Sequence, residues 1–501
     1  MGSVLPMKTD CSRLFPGAQR YAALRQAPTR TVREAPPEED SFPYSERHLQ
    51  CVWFDAAYRP GCLRSLGGEE IVVEEPGRWN LEAGPDFLDA VLRVGVERRR
   101  VQGDVEVHVH PRDWDAHRHA DDPRYGRVVA HVSYYPGPAP SGRLPAAALQ
   151  IALRAPLQSD PRFSFENIDL TAYPYAARPA HRPACAEILE AWPPPERAAL
   201  LRSAGEERLR IKAGRMRAAI RERGGGQAFY EEVMAAQGYK QNSAAFRQLA
   251  RRLPAVVLQR ESGGDVRAAY ALLLGVAGLA PARVSSQWDE ETRAFVRALW
   301  DTWWKRQAAW EPSVMPRTAW RLAGQRPQNH PARRLAAAAV LFAAEPPLGA
   351  ALSALDPSRP VEWFRQARDL LKTDGAIPYW NRRLGFSSGS RKANLALLGA
   401  GRVSSLIANI VIPFLAATGR PITPLLDHLE AEDDNAHIRQ TAFSLFGRDH
   451  NPLLHRHGLL QQGLLQIFHD FCLNRRTGCA NCRLVEALKE SGWGAPGNGP
   501  A

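Results

Sequence analysis

The sequence predicts an α+β protein: a mixed sheet with flanking helices in the N-terminal third, then a mainly α-helical domain, then a short C-terminal cysteine knuckle. Three observations lead there. Between residues 69 and 153, short aliphatic runs alternate with Gly, Pro and Asn punctuation, the pattern of strands and turns. From Ala186 onward the apolar residues recur at helical spacing instead. Near the end, Cys472, Cys479 and Cys482 fall as C-x6-C-x2-C, with His469 three residues before Cys472.

At 501 residues the chain exceeds one ordinary core, so two or three domains are expected. Its 45% hydrophobic and 24% charged residues are those of a globular protein and exclude extensive disorder away from the ends. Met1 to Arg13 lacks the apolar core of a signal peptide. The most apolar stretch, Val403 to Ala417, is interrupted by Ser404, Ser405, Asn409 and Pro413 and reads as a buried helix, not a membrane span. Seven cysteines without a regular framework fit a reducing cytoplasm. A net charge of +12 suits a polyanionic partner, nucleic acid above all, but arginines scattered over helix surfaces give the same sum.

The elements follow in order. Residues 1–43 lack periodicity and read as a disordered tail. Ser45-Glu46-Arg47-His48 leads into Leu49, Val52 and Trp53, a helix start with an apolar face. Strands are expected at Ile71–Val73, Phe87–Val94, Val101–Val109, Val128–Tyr135 and Ala146–Leu153, completing a domain over 44–155. Residues 156–185 are rich in Pro, Ala and Tyr and read as a linker. A helical domain is expected over 186–455, with helices at Arg197–Arg221, Ala244–Leu253 and Ala332–Phe342. The knuckle spans 456–490, and 491–501 is a second tail.

The most informative segment is Gly103-Asp104-Val105-Glu106-Val107-His108-Val109-His110. Side chains alternate across a strand, so the valines share one face and Asp104, Glu106, His108 and His110 the other. One explanation is an edge strand whose charges discourage aggregation. The other is a site. Asp86 opens the preceding strand, and an antiparallel pairing brings it beside Glu106. Two carboxylates there suit a hard cation such as Mg²⁺ or Mn²⁺, which polarises a phosphate and acidifies a bound water.

Pro85-Asp86, followed after an interval by Glu106-Val107-His108, resembles the signature of PD-(D/E)XK phosphodiesterases. The resemblance implies a PD-(D/E)XK-like sheet, with Asp86 and Glu106 as catalytic metal ligands and Glu46 from the upstream helix as a further acid. His108 stands where that superfamily has lysine. A neutral histidine there takes a general-base role or ligates the metal, but it lacks lysine's permanent charge.

Downstream lies Arg112-Asp113-Trp114-Asp115-Ala116-His117-Arg118-His119, followed by Tyr125 and His131. His108, His110, His117, His119 and His131 make five of the chain's 14 histidines. Such density suggests a second metal position or phosphate contacts, with His110, Trp114, His117 and His119 against substrate. A zinc site needs three or four of these groups converging tetrahedrally. The alternative is a polar loop with Trp114 packed as a lid on the sheet. Together with Gly84-Pro85-Asp86-Phe87, Arg326–Pro331 and the C-terminal cysteines, these motifs resemble the bacterial domain-of-unknown-function family 2851, which implies no activity.

Pro331 suits a first helical turn with His330 at the cap, and Arg333 and Arg334 beyond it meet phosphate or fix packing. The basic loop Trp380–Arg391 lacks the Gly-Lys-Ser/Thr ending of a phosphate loop. His469, Cys472, Cys479 and Cys482 are expected to bind a structural zinc; an iron–sulfur cluster is the alternative and needs a distant ligand such as Cys185. The function expected is a metal-dependent phosphodiesterase, nuclease-like, acting on DNA or RNA. The alternatives are a non-catalytic nucleic-acid-binding or scaffolding protein and a hydrolase of a small phosphorylated molecule.

Overall fold

The structure is a computed structural model that describes residues 14–26, 42, 44–81, 84–139, 143–146, 148–161, 163–170, 173, 183–322, 326–432, 436–447, 450–473, 482–491 and 493. The chain forms two compact units, one built on a sheet and one on helices.

The sheet unit takes residues 23–193, 440–449 and 467–501. Its strands are β1 (Leu63–Arg64), β2 (Glu70–Glu75), β3 (Arg78–Trp79), β4 (Phe87–Val94), β5 (Arg99–His108), β6 (Val128–Ser133) and β7 (Leu149–Ala152). They lie in the order β1-β2-β4-β5-β6-β7, with β3 also paired to β4. Pairings from β1 to β5 are antiparallel, and β5-β6 and β6-β7 are parallel. The sheet is thus mixed, as expected. It curls far enough for Ser65 to bridge Ile151 on β7.

Two antiparallel strands close through a tight turn, but parallel neighbours need a connection that crosses a face of the sheet. Residues 109–127 make that crossing between β5 and β6. The polar face of β5 is therefore covered, and every residue from Val105 to His108 is buried. This departs from the alternation read as one packed and one accessible face. Val105 and Val107 join Leu49, Val52, Trp53, Leu92, Ala130, Val132 and Ile151 in the main core. On the crossing side, Trp114, Tyr125, Val128 and Ala139 form a second, smaller core. Gly103 permits β6 to approach, since a Cβ there would stand 2.4 Å from Val129 Cγ1 and 2.6 Å from the Arg127 carbonyl.

The Glu46–Phe54 helix lies against β5. Its start is fixed locally: the Ser45 N–H donates to His48 Nδ1 at 3.2 Å, a capping-box arrangement with histidine in the glutamate position. Within 156–185, expected as linker, Leu157, Phe165, Ile168 and Leu170 belong to the sheet unit's core; 162, 171, 172 and 174–182 lie outside the described residues.

The helical unit takes residues 1–22, 194–439 and 450–466. Its helices include Pro194–Arg223, Tyr239–Arg252 and Pro331–Ala343, each slightly longer than its apolar periodicity indicated. Residues 14–22 are not tail: Phe15 and Ala18 are fully buried in this unit's core, and the Gly17 N–H donates to Glu206. The Ala400–Ala417 stretch is long and apolar enough to cross a membrane, and 61% of it is buried inside the protein. His330 caps Pro331–Ala343, accepting from the Ala332 N–H at 3.3 Å. Arg333 and Arg334 do not face solvent. Arg333 is fully buried and donates to the carbonyls of Trp380, Arg383, Leu395 and Ala396; Arg334 donates to Leu397. They hold the Trp380–Leu397 segment in place, because a guanidinium offers five donors in a fixed fork.

At the C-terminal end, the knuckle expected over 456–490 is partly regular helix. Gly458–Ile467 continues into a π-turn, Phe468–Cys472, whose Phe468 is buried in the sheet unit's core. Cys482 is buried at the start of the Arg483–Glu490 helix and Cys472 is half-buried. Cys479 lies outside the described residues.

Candidate metal centre

β4 and β5 pair with Phe87 opposite Val105, which sets Asp86 alongside Glu106. The contact runs through backbone as well as side chains. The Asp86 N–H donates to Glu106 Oε2 at 2.9 Å, and Asp86 Oδ2 accepts from the Val107 N–H at 2.9 Å. Asp86 Oδ1 accepts from Gln50 Nε2 at 2.7 Å. Asp86 is thus clamped between the Glu46–Phe54 helix and β5, and it holds one oxygen of Glu106 in place. Both carboxylates are 1% exposed.

The parallel register of β5 and β6 sets His131 opposite Glu106. Its Nε2 lies 2.9 Å from His108 Nδ1. The crossing segment then delivers two more imidazoles. His119 Nε2 stands 3.2 Å from His108 Nε2 and 3.2 Å from Glu106 Oε1. His117 Nδ1 stands 3.2 Å from His108 Nε2. His108 Nε2 is also 3.4 Å from Glu106 Oε1, and Glu46 Oε1 approaches it to 4.0 Å. Between His117 and His119, Arg118 adopts the left-handed conformation, φ 56° and ψ 36°, one that costs a non-glycine residue about 1–3 kcal/mol. Tyr125 stacks on His119 at 3.9 Å between ring centroids, and Trp114 packs against both His119 and His131.

Burial governs the charge state. It pushes the Glu106 carboxyl well above its ordinary range, with the Glu46 charge adding to the effect. It pushes His108 well below the ordinary imidazole range, reinforced by His131, His117 and His119. His119 is lowered to about 3 and His131 to about 4, again chiefly by burial. Without a cation His108, His119 and His131 are therefore neutral at pH 7, each with one N–H and one lone pair.

Of the residues singled out in sequence, Glu46, Asp86, Glu106, His108, His117 and His119 lie in this one network. His110 turns instead onto Tyr135, with rings stacked at 4.5 Å, while Arg154 sits over the same tyrosine. Trp114 is 1% exposed and serves as packing beneath the histidines, not as a surface for substrate. Gln50 and His131 complete the network and were not among the predicted site residues. Gln50 stands one turn after Glu46, and His131 is a histidine on the neighbouring strand; only pairing and register give either a role. Among the described residues, the donors grouped closely enough to hold a metal are His108, His117 and His119, whose ligand atoms all lie within 4.8 Å of one another.

Residues 46–424 match the family described as "Protein of unknown function (DUF2851)". The chain belongs to the DUF2851 family. The DUF2851 match contains the whole network from Glu46 to His131 and stops short of the C-terminal cysteines. No curated protein and no solved structure matches the chain.

Proposed function

We propose that the chain is a metal-dependent hydrolase of phosphodiester bonds, acting on nucleic acid through the Glu106–His108–His117–His119 network. The observation that carries this reading is the convergence of a buried carboxylate with neutral imidazoles beside an exposed ligand. Glu106 Oε1 lies 3.2 Å from His119 and 3.4 Å from His108, and His117 opens the group to solvent. A bound metal supplies a polarised phosphate and an acidified water.

The protein's own groups take distinct parts. Asp86 and Gln50 fix Glu106, and His131 orients His108. Glu46, half-buried at the rim and 4.0 Å from His108 Nε2, is the carboxylate available to receive a proton from the attacking water. The crossing segment also carries Arg112 and Arg118, both exposed, which suit a phosphate backbone. The PD-(D/E)XK resemblance agrees with the order of Glu46, Asp86 and Glu106, although here imidazoles surround the second acid.

The test is cleavage of supercoiled plasmid, linear duplex and single-stranded DNA and RNA with Mg²⁺, Mn²⁺ or Zn²⁺, beside Glu106→Gln and His119→Ala. Metal-dependent cleavage lost in both variants supports the reading. Metal-independent binding without cleavage favours a non-catalytic nucleic-acid-binding protein.

A further inference from the structure

We propose that His108 Nε2, His117 Nδ1, His119 Nε2 and Glu106 Oε1 bind a zinc-class ion, not Mg²⁺. This names the metal for the hydrolase reading and rests on the same residues. The first argument is geometric. Zinc binds imidazole nitrogen and carboxylate oxygen at about 2.0–2.2 Å, so tetrahedral donors stand about 3.3–3.5 Å apart. The separations His108–His119, His108–His117, His119–Glu106 and His108–Glu106 are 3.2, 3.2, 3.2 and 3.4 Å. These match four of the six edges of such a tetrahedron, and the three histidine donor atoms all lie within 4.8 Å of one another.

The second argument is proton counting. A neutral imidazole carries one N–H. If His108 carries it on Nδ1, it donates to His131 and Nε2 presents only a lone pair. That tautomer aims the Nε2 lone pair at the centre, where a cation would take it beside the nitrogens of His117 and His119. An outer partner on the far ring nitrogen, here His131, is what metal-bound histidines usually have.

The third argument is donor type. Mg²⁺ takes oxygen donors and retains its waters, whereas imidazole suits zinc and its late first-row neighbours. Glu106 completes four donors. Zinc sites expand to five-coordinate, and the exposed His117 side leaves room for a water there.

The experiment uses the full chain, stripped with a chelator and titrated with Zn²⁺, Co²⁺ and Mg²⁺, beside His117→Ala and His119→Ala. His117 is exposed, so its variant keeps the fold, as circular dichroism will check. Wild type is expected to bind Zn²⁺ and Co²⁺, with affinity falling by about 10–100-fold or more in each variant. Bound Co²⁺ should show tetrahedral visible bands that are lost in both variants. Thiolate-to-cobalt charge transfer would mark the C-terminal cysteines separately and persist. Identical stoichiometry, affinity and visible bands in wild type and His117→Ala would overturn the proposal. Zinc binding without cleavage keeps the site and removes the hydrolase. Mg²⁺-driven cleavage that survives His117→Ala, without histidine-bound zinc, does the reverse.

Discussion

His131 Nε2 lies 2.9 Å from His108 Nδ1, and this contact decides which nitrogen of His108 faces the centre. With the Nδ1 proton given to His131, Nε2 is left bare toward His117, His119 and Glu106. Replacing His131 with Phe keeps the packing beside Trp114 and removes the acceptor. Metal affinity should fall by about 10–100-fold, measured by competition with a chromophoric chelator. Unchanged affinity would mean that His108 is oriented by packing alone.

The same histidines make the metal-free protein acid-sensitive. His119 and His131 titrate near 3 and 4 when folded, below the ordinary 6.5. Between those values the unfolded chain binds more protons, so stability falls as pH drops below 6.5. Each histidine contributes at most about 1.4 kcal/mol per pH unit. Glu106 is shifted upward and acts the opposite way, losing its contribution as pH rises above 4.5. Histidines outnumber it, so the urea midpoint in chelator should be lower at pH 4.5 than at pH 7. His131→Gln should flatten that difference.

Gln50 is the helix's hold on Asp86, through a 2.7 Å hydrogen bond in a buried setting. Gln50→Ala leaves one oxygen of a buried carboxylate without that donor and should cost about 1–3 kcal/mol. Gln50→Glu adds a second carboxylate against the first. Its destabilisation at pH 7 should shrink toward pH 4, where one of the pair protonates. Thermal melts at the two pH values separate the effects.

Trp114 tests packing against substrate contact. It is 1% exposed and sits under His119 and His131. Trp114→Ala should cost about 3–5 kcal/mol and weaken metal binding with it. A variant with an unchanged melting temperature but weaker nucleic-acid binding would assign the side chain to substrate instead.

Gly103 allows β6 to close on β5. An added Cβ would meet Val129 Cγ1 at 2.4 Å and the Arg127 carbonyl at 2.6 Å, the latter a backbone atom that cannot rotate away. Gly103→Ala should cost about 1–3 kcal/mol and, by displacing β6, move His131 from His108. Loss of metal affinity together with the melting shift would show that the strand pairing and the centre are one unit.

Local sequence determined the five longer strands, though not the two-residue β1 and β3, and with them the helix bearing Glu46, the cap at His330 and the nearness of Asp86 to Glu106. Period-two alternation, capping chemistry and hairpin pairing are short-range, so they can be read from neighbouring residues. It also determined that acids and histidines would be dense between residues 104 and 131. Tertiary structure alone decided how they are used. The parallel pairing of β5 with β6 forces residues 109–127 across the polar face of β5. That crossing buries Glu106 and His108, turns Trp114 into core, sends His110 onto Tyr135 and brings His117 and His119 within hydrogen-bond distance of His108. Strand direction depends on where the chain returns after 19 residues, and alternation is the same for a parallel or an antiparallel neighbour. Arg333 follows the same logic. Its charge is plain in the sequence, while its four carbonyl partners between Trp380 and Ala396 come from a segment 47 to 63 residues away that only folding places around it.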